Sequence, residues 1–204
     1  MIEASIQDLV LIMNRGGIVM IPLLILSVLS VALILERCWF WIFQGGIGSE
    51  VRLEKLNTMF RKGDDNIAKF VQRDSSVYGK VANSIIQNGA SDAVAMGAVE
   101  SQRPRIDRFM VALSTIITAA PLLGILGTVV GIIQSFQLLG EQSVLTDPSD
   151  VAGGIAAALL TTAMGLTIAL VTLFPYMIFR GWVTSSLGRL ETLIASAQQG
   201  EEAC

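Results

Sequence analysis

The stretch that most restricts how this chain can fold runs from Val151 to Phe179. These 29 residues include no Asp, Glu, Lys, Arg or His. A helix of about 20 apolar residues is enough to cross the hydrocarbon core of a bilayer, which is about 30 Å thick. Because a backbone in lipid must satisfy its own hydrogen bonds, an uncharged run of this length predicts a membrane-spanning helix.

Two further apolar runs predict two more spans. Hydrophobic residues make up 52% of the 204-residue chain and are gathered in long blocks instead of being spread through a soluble core. We therefore predict an all-α integral membrane protein with three transmembrane helices, at residues 17–44, 108–140 and 151–180.

The second span is longer than a bilayer requires. At 1.5 Å per residue its uncharged part would be roughly 48 Å long, so one end must project beyond the lipid. We expect the cytoplasmic end to project, as an unbroken continuation of a helix that begins at Ser91. Pro121 lies inside this span and predicts a kink with a freed carbonyl.

Basic residues set the predicted orientation. The polar insert at residues 45–107 carries nine Lys and Arg, whereas the loop at residues 141–150 carries none. Orientation follows Lys and Arg, which stay on the cytoplasmic side. The insert and the C-terminal helix and tail (181–204) are therefore predicted to be cytoplasmic. The loop and an amphipathic interfacial helix at residues 1–16 are predicted to be periplasmic.

The composition of the insert argues against catalysis. Its apolar residues predict short amphipathic helices, the last one starting at Ser91–Asp92. The whole chain has no histidine, and its two cysteines, Cys38 and Cys204, are too few for a zinc site. We expect a helical collar and no enzyme, no metal and no nucleic-acid partner.

Small residues are aligned along the second and third spans. At helical spacing each set forms one stripe, and such stripes let membrane helices approach closely. We expect the stripes to pack helices and subunits and to line an ion-conducting interface. They comprise Gly124, Gly127, Thr128 and Gly131 on the second span and Gly154, Ala158, Thr162, Gly165 and Ala169 on the third.

Aromatic and basic residues mark the predicted cytoplasmic membrane surface. Indole rings settle at headgroup depth, and arginine can extend to the same level. Glu36 and Arg37 end the first span, so we interpret them as an interfacial anchor and not as an intramembrane charged site. The predicted anchors are Arg37, Trp39, Trp41, Arg180 and Trp182.

Two motifs give the chain a resemblance to a known family. Residues 113–138 read LSTIITAAPLLGILGTVVGIIQSFQL, and residues 151–166 read VAGGIAAALLTTAMGL. Both resemble the pore-lining helices of the ExbB/TolQ/MotA proton-channel family, and three spans make the chain more similar to ExbB than to the four-span MotA. The resemblance implies a homopentamer in the bacterial inner membrane around a central pore. It also implies single-span ExbD/TolR-like partners, each with an aspartate, and work done on a TonB-like protein.

The residues agree with that resemblance at one point. The second and third spans have no acid, so a proton path through them must borrow a carboxylate, which the family's partner would supply. Thr128 and Thr162 would then offer hydroxyls to it or to the ion. We expect Thr115, Thr118, Thr167 and Thr172 only to bond their own helices.

Two departures from the family pattern leave alternatives open. ExbB and TolQ usually carry a glutamate where Ala157 stands, which puts an accessory carboxylate in doubt. Thr161 precedes Thr162, and this pair resembles sodium-driven homologues, so Na⁺ is an alternative coupling ion to H⁺. A passive oligomeric scaffold is a further alternative, and the sequence names no client.

Overall fold

The computed structural model describes residues 17–44, 48–63, 66–141 and 148–202. These residues form helices and short connections, with no strand among them. The predicted helix at residues 1–16, most of the predicted loop at 141–150, and Cys204 lie outside the described residues. In chain order the helices are α1 (Met20–Gln44), α2 (Gly48–Lys62), α3 (Ile67–Gln72), α4 (Val77–Asn88), α5 (Asp92–Ile106), α6 (Met110–Glu141) and α7 (Pro148–Glu202).

Three of the described helices are long and apolar enough to cross a membrane, as predicted. The stretches that qualify are Met20–Phe43 in α1, Met110–Gln137 in α6 and Ala152–Glu201 in α7. Pro121 and Pro175 lie inside α6 and α7, and both helices continue through them. The helices of the insert are also confirmed, including the one that begins after Ser91.

The helices contribute to two compact units, each with its own packing. The first unit comprises the described residues of Met1–Ile34 and Val111–Tyr176, and the second those of Leu35–Met110 and Met177–Cys204. In the first unit, Leu23, Leu113 and Thr172 are fully buried. Many large apolar side chains of this unit are exposed, including Leu122 and Phe174. An outward apolar face of this kind suits lipid or another apolar helix.

The second unit has a conventional apolar core. Leu56, Val81 and Leu193 are among its fully buried residues. The start of α4 is capped, because Ser76 Oγ accepts the Gly79 N–H at 3.1 Å. Near the end of α7, the Glu201 carboxylate accepts the Ala90 N–H at 3.1 Å, which ties the last turns of α7 to the connection between α4 and α5.

The predicted continuity between α5 and α6 is wrong. The helix that follows Ser91 ends at Ile106, and α6 begins only at Met110. Between them Phe109 has a φ of 63°, the left-handed conformation that costs a residue with a Cβ about 1–2 kcal/mol. The sequence has no glycine at residues 107–109 to signal the break, so a contact from elsewhere in the fold must stabilise it.

A pair of glycine substitutions tests the packing of the second unit. A Cβ on Gly79 would lie 2.7 Å from the Asp74 Cβ and closer still to the Asp74 carbonyl oxygen. We expect Gly79→Ala to lower the free energy of unfolding by about 1–3 kcal/mol, because backbone must move. Gly97→Ala is the control, since a Cβ there meets nothing within 4 Å and should stabilise α5 by about 0.5–1 kcal/mol. Thermal unfolding in detergent micelles measures both; equal effects would contradict the packing.

Candidate functional site

Helices α6 and α7 meet through backbone atoms. A Cβ on Gly124 would lie 2.9 Å from both the Thr161 carbonyl oxygen and the Thr162 Cα. A Cβ on Gly131 would lie 2.6 Å from the Ala158 Cβ, and one on Gly165 would clash with the Ala120 carbonyl oxygen. Only glycine permits this separation, so the two small-residue stripes face each other along one helix pair.

These contacts are made within one chain. Gly127 faces the Thr161 side chain, and Gly154 faces the Ser135 hydroxyl. The sequence predicted that the glycines pack helices and subunits. The single chain shows the packing of helices, because five of the predicted glycines lie next to atoms of the other helix of the pair: Gly124, Gly127, Gly131, Gly154 and Gly165.

The hydroxyls of Thr162 and Thr128 lie side by side at this interface. Thr162 donates across to the Gly124 carbonyl at 2.9 Å, and Thr128 donates within α6 to the Ile125 carbonyl at 2.6 Å. The two hydroxyl oxygens are 3.5 Å apart. Because each proton is directed to a carbonyl, the remaining lone pairs can accept a hydrogen bond or coordinate a cation.

Thr161 has a different environment. Its side chain is only 1% exposed, and its hydroxyl lies 2.7 Å from the Ala158 carbonyl and 3.2 Å from the Gly124 carbonyl. One carbonyl of α6, that of Gly124, therefore accepts from two successive threonines of α7. This arrangement fixes the register of the helix pair and leaves Thr161 among packed atoms.

The remaining threonines of the spans do what was expected of them. Each donates to a carbonyl four residues back in its own helix, with Thr118 also reaching the carbonyl three residues back. The bonds join Thr115 to Val111, Thr118 to Ser114, Thr167 to Ala163 and Thr172 to Ile168. The interhelical hydroxyl of Thr162 is thus set apart from them by geometry.

Sequence reasoning overlooked Ser135. This residue is buried, donates to the Gly131 carbonyl at 2.9 Å and faces Gly154. It continues the stripe of Gly124, Gly127 and Gly131 by one more helical step, which is the signal that could have found it. Ser135 and Ala157 both line a cavity of about 130 Å³ in the first unit.

The predicted membrane anchors divide into two groups. Trp39, Arg180 and Trp182 are exposed, and Trp41 packs on Trp182 with ring centroids 5.6 Å apart. Arg37 differs from these three residues, because its side chain is only 1% exposed. Its Nε donates to the Glu36 carboxylate at 2.7 Å, and its other partners are carbonyls inside the second unit.

The described residues contain no group of three or more His, Cys, Asp or Glu side chains that could hold a metal ion. Among these residues Cys38 is a free thiol. Residues 110–140 of α6 and 151–179 of α7 contain no Asp, Glu, Lys, Arg or His. The polar groups at the contact between these stretches are hydroxyls and carbonyls, which can position an ion but do not titrate at ordinary pH.

Three apolar helices, two of them joined through glycines and hydroxyls, define a multi-pass helical membrane protein. The hydroxyls of Thr128, Thr161 and Thr162 form a polar seam between α6 and α7. Comparison with known proteins gives the family. Residues 64–192 match the model of the MotA/TolQ/ExbB proton channel family. The chain belongs to this family, and the match includes all of α6 and residues 148–192 of α7.

Relatives with curated names agree with that assignment. The chain is 36% identical over 178 residues to the putative biopolymer transport protein ExbB-like 3 of Synechocystis sp., covering 81% of each protein. It is 26% identical over 195 residues to the biopolymer transport protein exbB1 of Vibrio cholerae, covering 92% of this chain and 84% of the relative. It is 28% identical over 139 residues to the Tol-Pal system protein TolQ of Pseudomonas aeruginosa, covering 67% and 56%.

The backbone contact at Gly124 gives a prediction. We expect Gly124→Ala to push α6 and α7 apart, because both atoms at 2.9 Å belong to backbone, and to lower stability by about 1–3 kcal/mol. Gly153→Ala is the matched control on α7, where a Cβ meets nothing within 4 Å in the chain. Thermal unfolding in lipid nanodiscs measures both. A Gly124→Ala protein as stable as the control would contradict close backbone packing.

Proposed function

We propose that this chain is the ExbB-like subunit of an inner-membrane motor driven by the ion-motive force, and that it couples proton flow to work on a TonB-like envelope protein. The observation that carries the proposal is the Thr128–Thr162 hydroxyl pair on the glycine-packed seam of α6 and α7. The family and the names of its relatives, which include biopolymer transport proteins and a Tol-Pal protein, support it.

The seam needs a charged group from another molecule. The apolar stretches of α6 and α7, residues 110–140 and 151–179, contain no Asp, Glu, Lys, Arg or His. An ionised carboxylate at this depth costs roughly 2.5–3.5 kcal/mol unless it is partnered. We infer that a single-span ExbD/TolR-like helix brings an aspartate to the seam. The lone pairs of Thr162 and Thr128 can accept from its protonated form, and the two hydroxyls, once rotated, can donate to its ionised form.

The assembly and its orientation belong to the same proposal. A second copy of the chain could cover the exposed apolar faces of the first unit, and the family resemblance supports five copies around a central pore. The nine basic residues of the insert, against none in residues 141–150, support a cytoplasmic insert and C-terminus with a periplasmic N-terminus.

A single hydroxyl deletion tests the role of the seam. Thr162→Val keeps the shape of the side chain and removes the group that donates to the Gly124 carbonyl. We expect proton flux through the reconstituted complex to fall roughly 10- to 100-fold, the range for losing a hydrogen bond to a charged group. A pH-sensitive dye inside the vesicles measures the flux.

The control for that experiment is Thr167→Val on the same helix. The Thr167 hydroxyl donates to the Ala163 carbonyl of its own helix, and its loss should leave flux unchanged. If both variants conduct like the wild type while the complex stays assembled, the passive scaffold gains support and the proposed ion path is wrong.

The missing acid gives a second test. We expect vesicles that contain this chain alone to hold an imposed proton gradient, because the apolar stretches of α6 and α7 offer no titratable carboxylate. Flux should start only when a single-span partner with an intramembrane aspartate is added, and changing that aspartate to asparagine should stop it. Strong flux from the chain alone would contradict the proposal.

The same vesicles separate the two candidate ions. Proton coupling predicts equal flux in sodium-free buffer, whereas sodium coupling predicts that flux disappears there. The two hydroxyl oxygens 3.5 Å apart are the ligands that either ion would meet.

A further inference from the structure

The buried Arg37 side chain lies at the joint where α5 gives way to α6. Its Nη1 donates to the Arg105 carbonyl at 3.3 Å and to the Ile106 carbonyl at 3.4 Å. These carbonyls close the last turn of α5. A charged donor at a helix C-terminus satisfies carbonyls that have no partner within the helix and is favoured by the helix dipole.

The same two carbonyls would have other partners if α5 continued. In an unbroken helix the Arg105 carbonyl accepts from Phe109 N–H, and the Ile106 carbonyl accepts from Met110 N–H. The structure instead shows Met110 N–H donating to the Asp107 carbonyl at 3.0 Å, and Phe109 turned into the left-handed region. The guanidinium of Arg37 thus takes the place of the two amides whose bonds would fuse α5 with α6.

Further contacts hold Arg37 in that position. Its Nε and Nη2 donate to the two Glu36 oxygens at 2.7 and 3.1 Å. Its guanidinium carbon lies 4.4 Å from the centre of the Phe40 ring and 5.8 Å from that of Phe109. Arg108 adds a second cation, 3.7 Å from Glu36 and 4.6 Å above the Phe109 ring. A cation with a carboxylate, two carbonyls and aromatic faces around it is well satisfied despite its burial.

We propose that Arg37 selects between two conformations of the joint. With Arg37 bound to the Arg105 and Ile106 carbonyls, α5 and α6 are separate helices. With Arg37 withdrawn, the helix that begins at Asp92 continues without a break through residues 107–109 to Met110. The inference does not depend on which ion the protein conducts.

The experiment removes the guanidinium and asks whether the helices fuse. Arg37→Met keeps an unbranched side chain without a donor, in the full chain reconstituted in lipid nanodiscs. We expect hydrogen exchange of the Phe109 amide to slow roughly tenfold or more, because it gains the Arg105 carbonyl as acceptor. The ¹³Cα chemical shift of labelled Phe109 should also move from the left-handed to the right-handed helical range.

Two further variants make the result specific. Arg108→Met removes the other cation on Glu36 and Phe109 but no donor to α5, so Phe109 should keep its left-handed conformation. Phe109→Gly in the Arg37→Met protein should restore fast exchange at residue 109, because glycine adopts positive φ without a Cβ clash.

Each other result overturns the inference. If Arg37→Met leaves Phe109 left-handed and exchanging fast, the guanidinium does not decide the conformation. If exchange instead rises throughout residues 100–115, Arg37 only supports the fold and no continuous helix exists as a second state. If Arg108→Met fuses the helices equally well, the effect is one of net charge and not of capping.

Discussion

The contact on which the first unit depends is the approach of α6 and α7 through the Gly124 backbone. Lipid tails are as apolar as leucine, so these helices are held together by close packing and interhelical hydrogen bonds and not by hydrophobic burial. Gly124 supplies both. The absence of a side chain brings the α7 backbone to within van der Waals contact, and the Gly124 carbonyl accepts from Thr161 and Thr162. The same contact places the Thr162 hydroxyl 3.5 Å from that of Thr128.

Packing and chemistry are divided between neighbouring threonines. Thr161 is buried and bonded to two carbonyls, so its function is to hold the pair in register. Thr162, one residue on, is only half-buried and keeps lone pairs for a ligand. A membrane potential supplies roughly 2.3 kcal/mol per charge for every 100 mV, similar to the cost of one partly satisfied carboxylate at depth. In the proposed function, a hydroxyl that lowers the free-energy cost of the partner's carboxylate by about 2.3 kcal/mol would let the membrane potential drive the movement of one charge.

The second unit contains a buried cation, the Arg37 side chain. Arg37 is removed from solvent but retains a full set of partners, since Glu36, two α5 carbonyls and an aromatic ring surround it. Removing any partner of such a group leaves an uncompensated charge in the protein interior, which solvates it poorly. The charges that end the first apolar helix therefore organise the protein interior, and the exposed Trp39, Arg180 and Trp182 remain the residues suited to headgroups.

The sequence alone determined the three apolar helices, the helical insert, the glycine stripes and the ordinary role of four threonines, because each depends on composition or local spacing. It also limited the candidate ion-path residues to Thr128, Thr161 and Thr162. The tertiary structure decided the rest: which threonine is buried, that Ser135 continues the stripe, that Arg37 is internal, and that the chain breaks at Phe109. These features depend on partners distant in sequence, such as Arg37 and Arg105, which are 68 positions apart, and local propensity carries no record of such contacts.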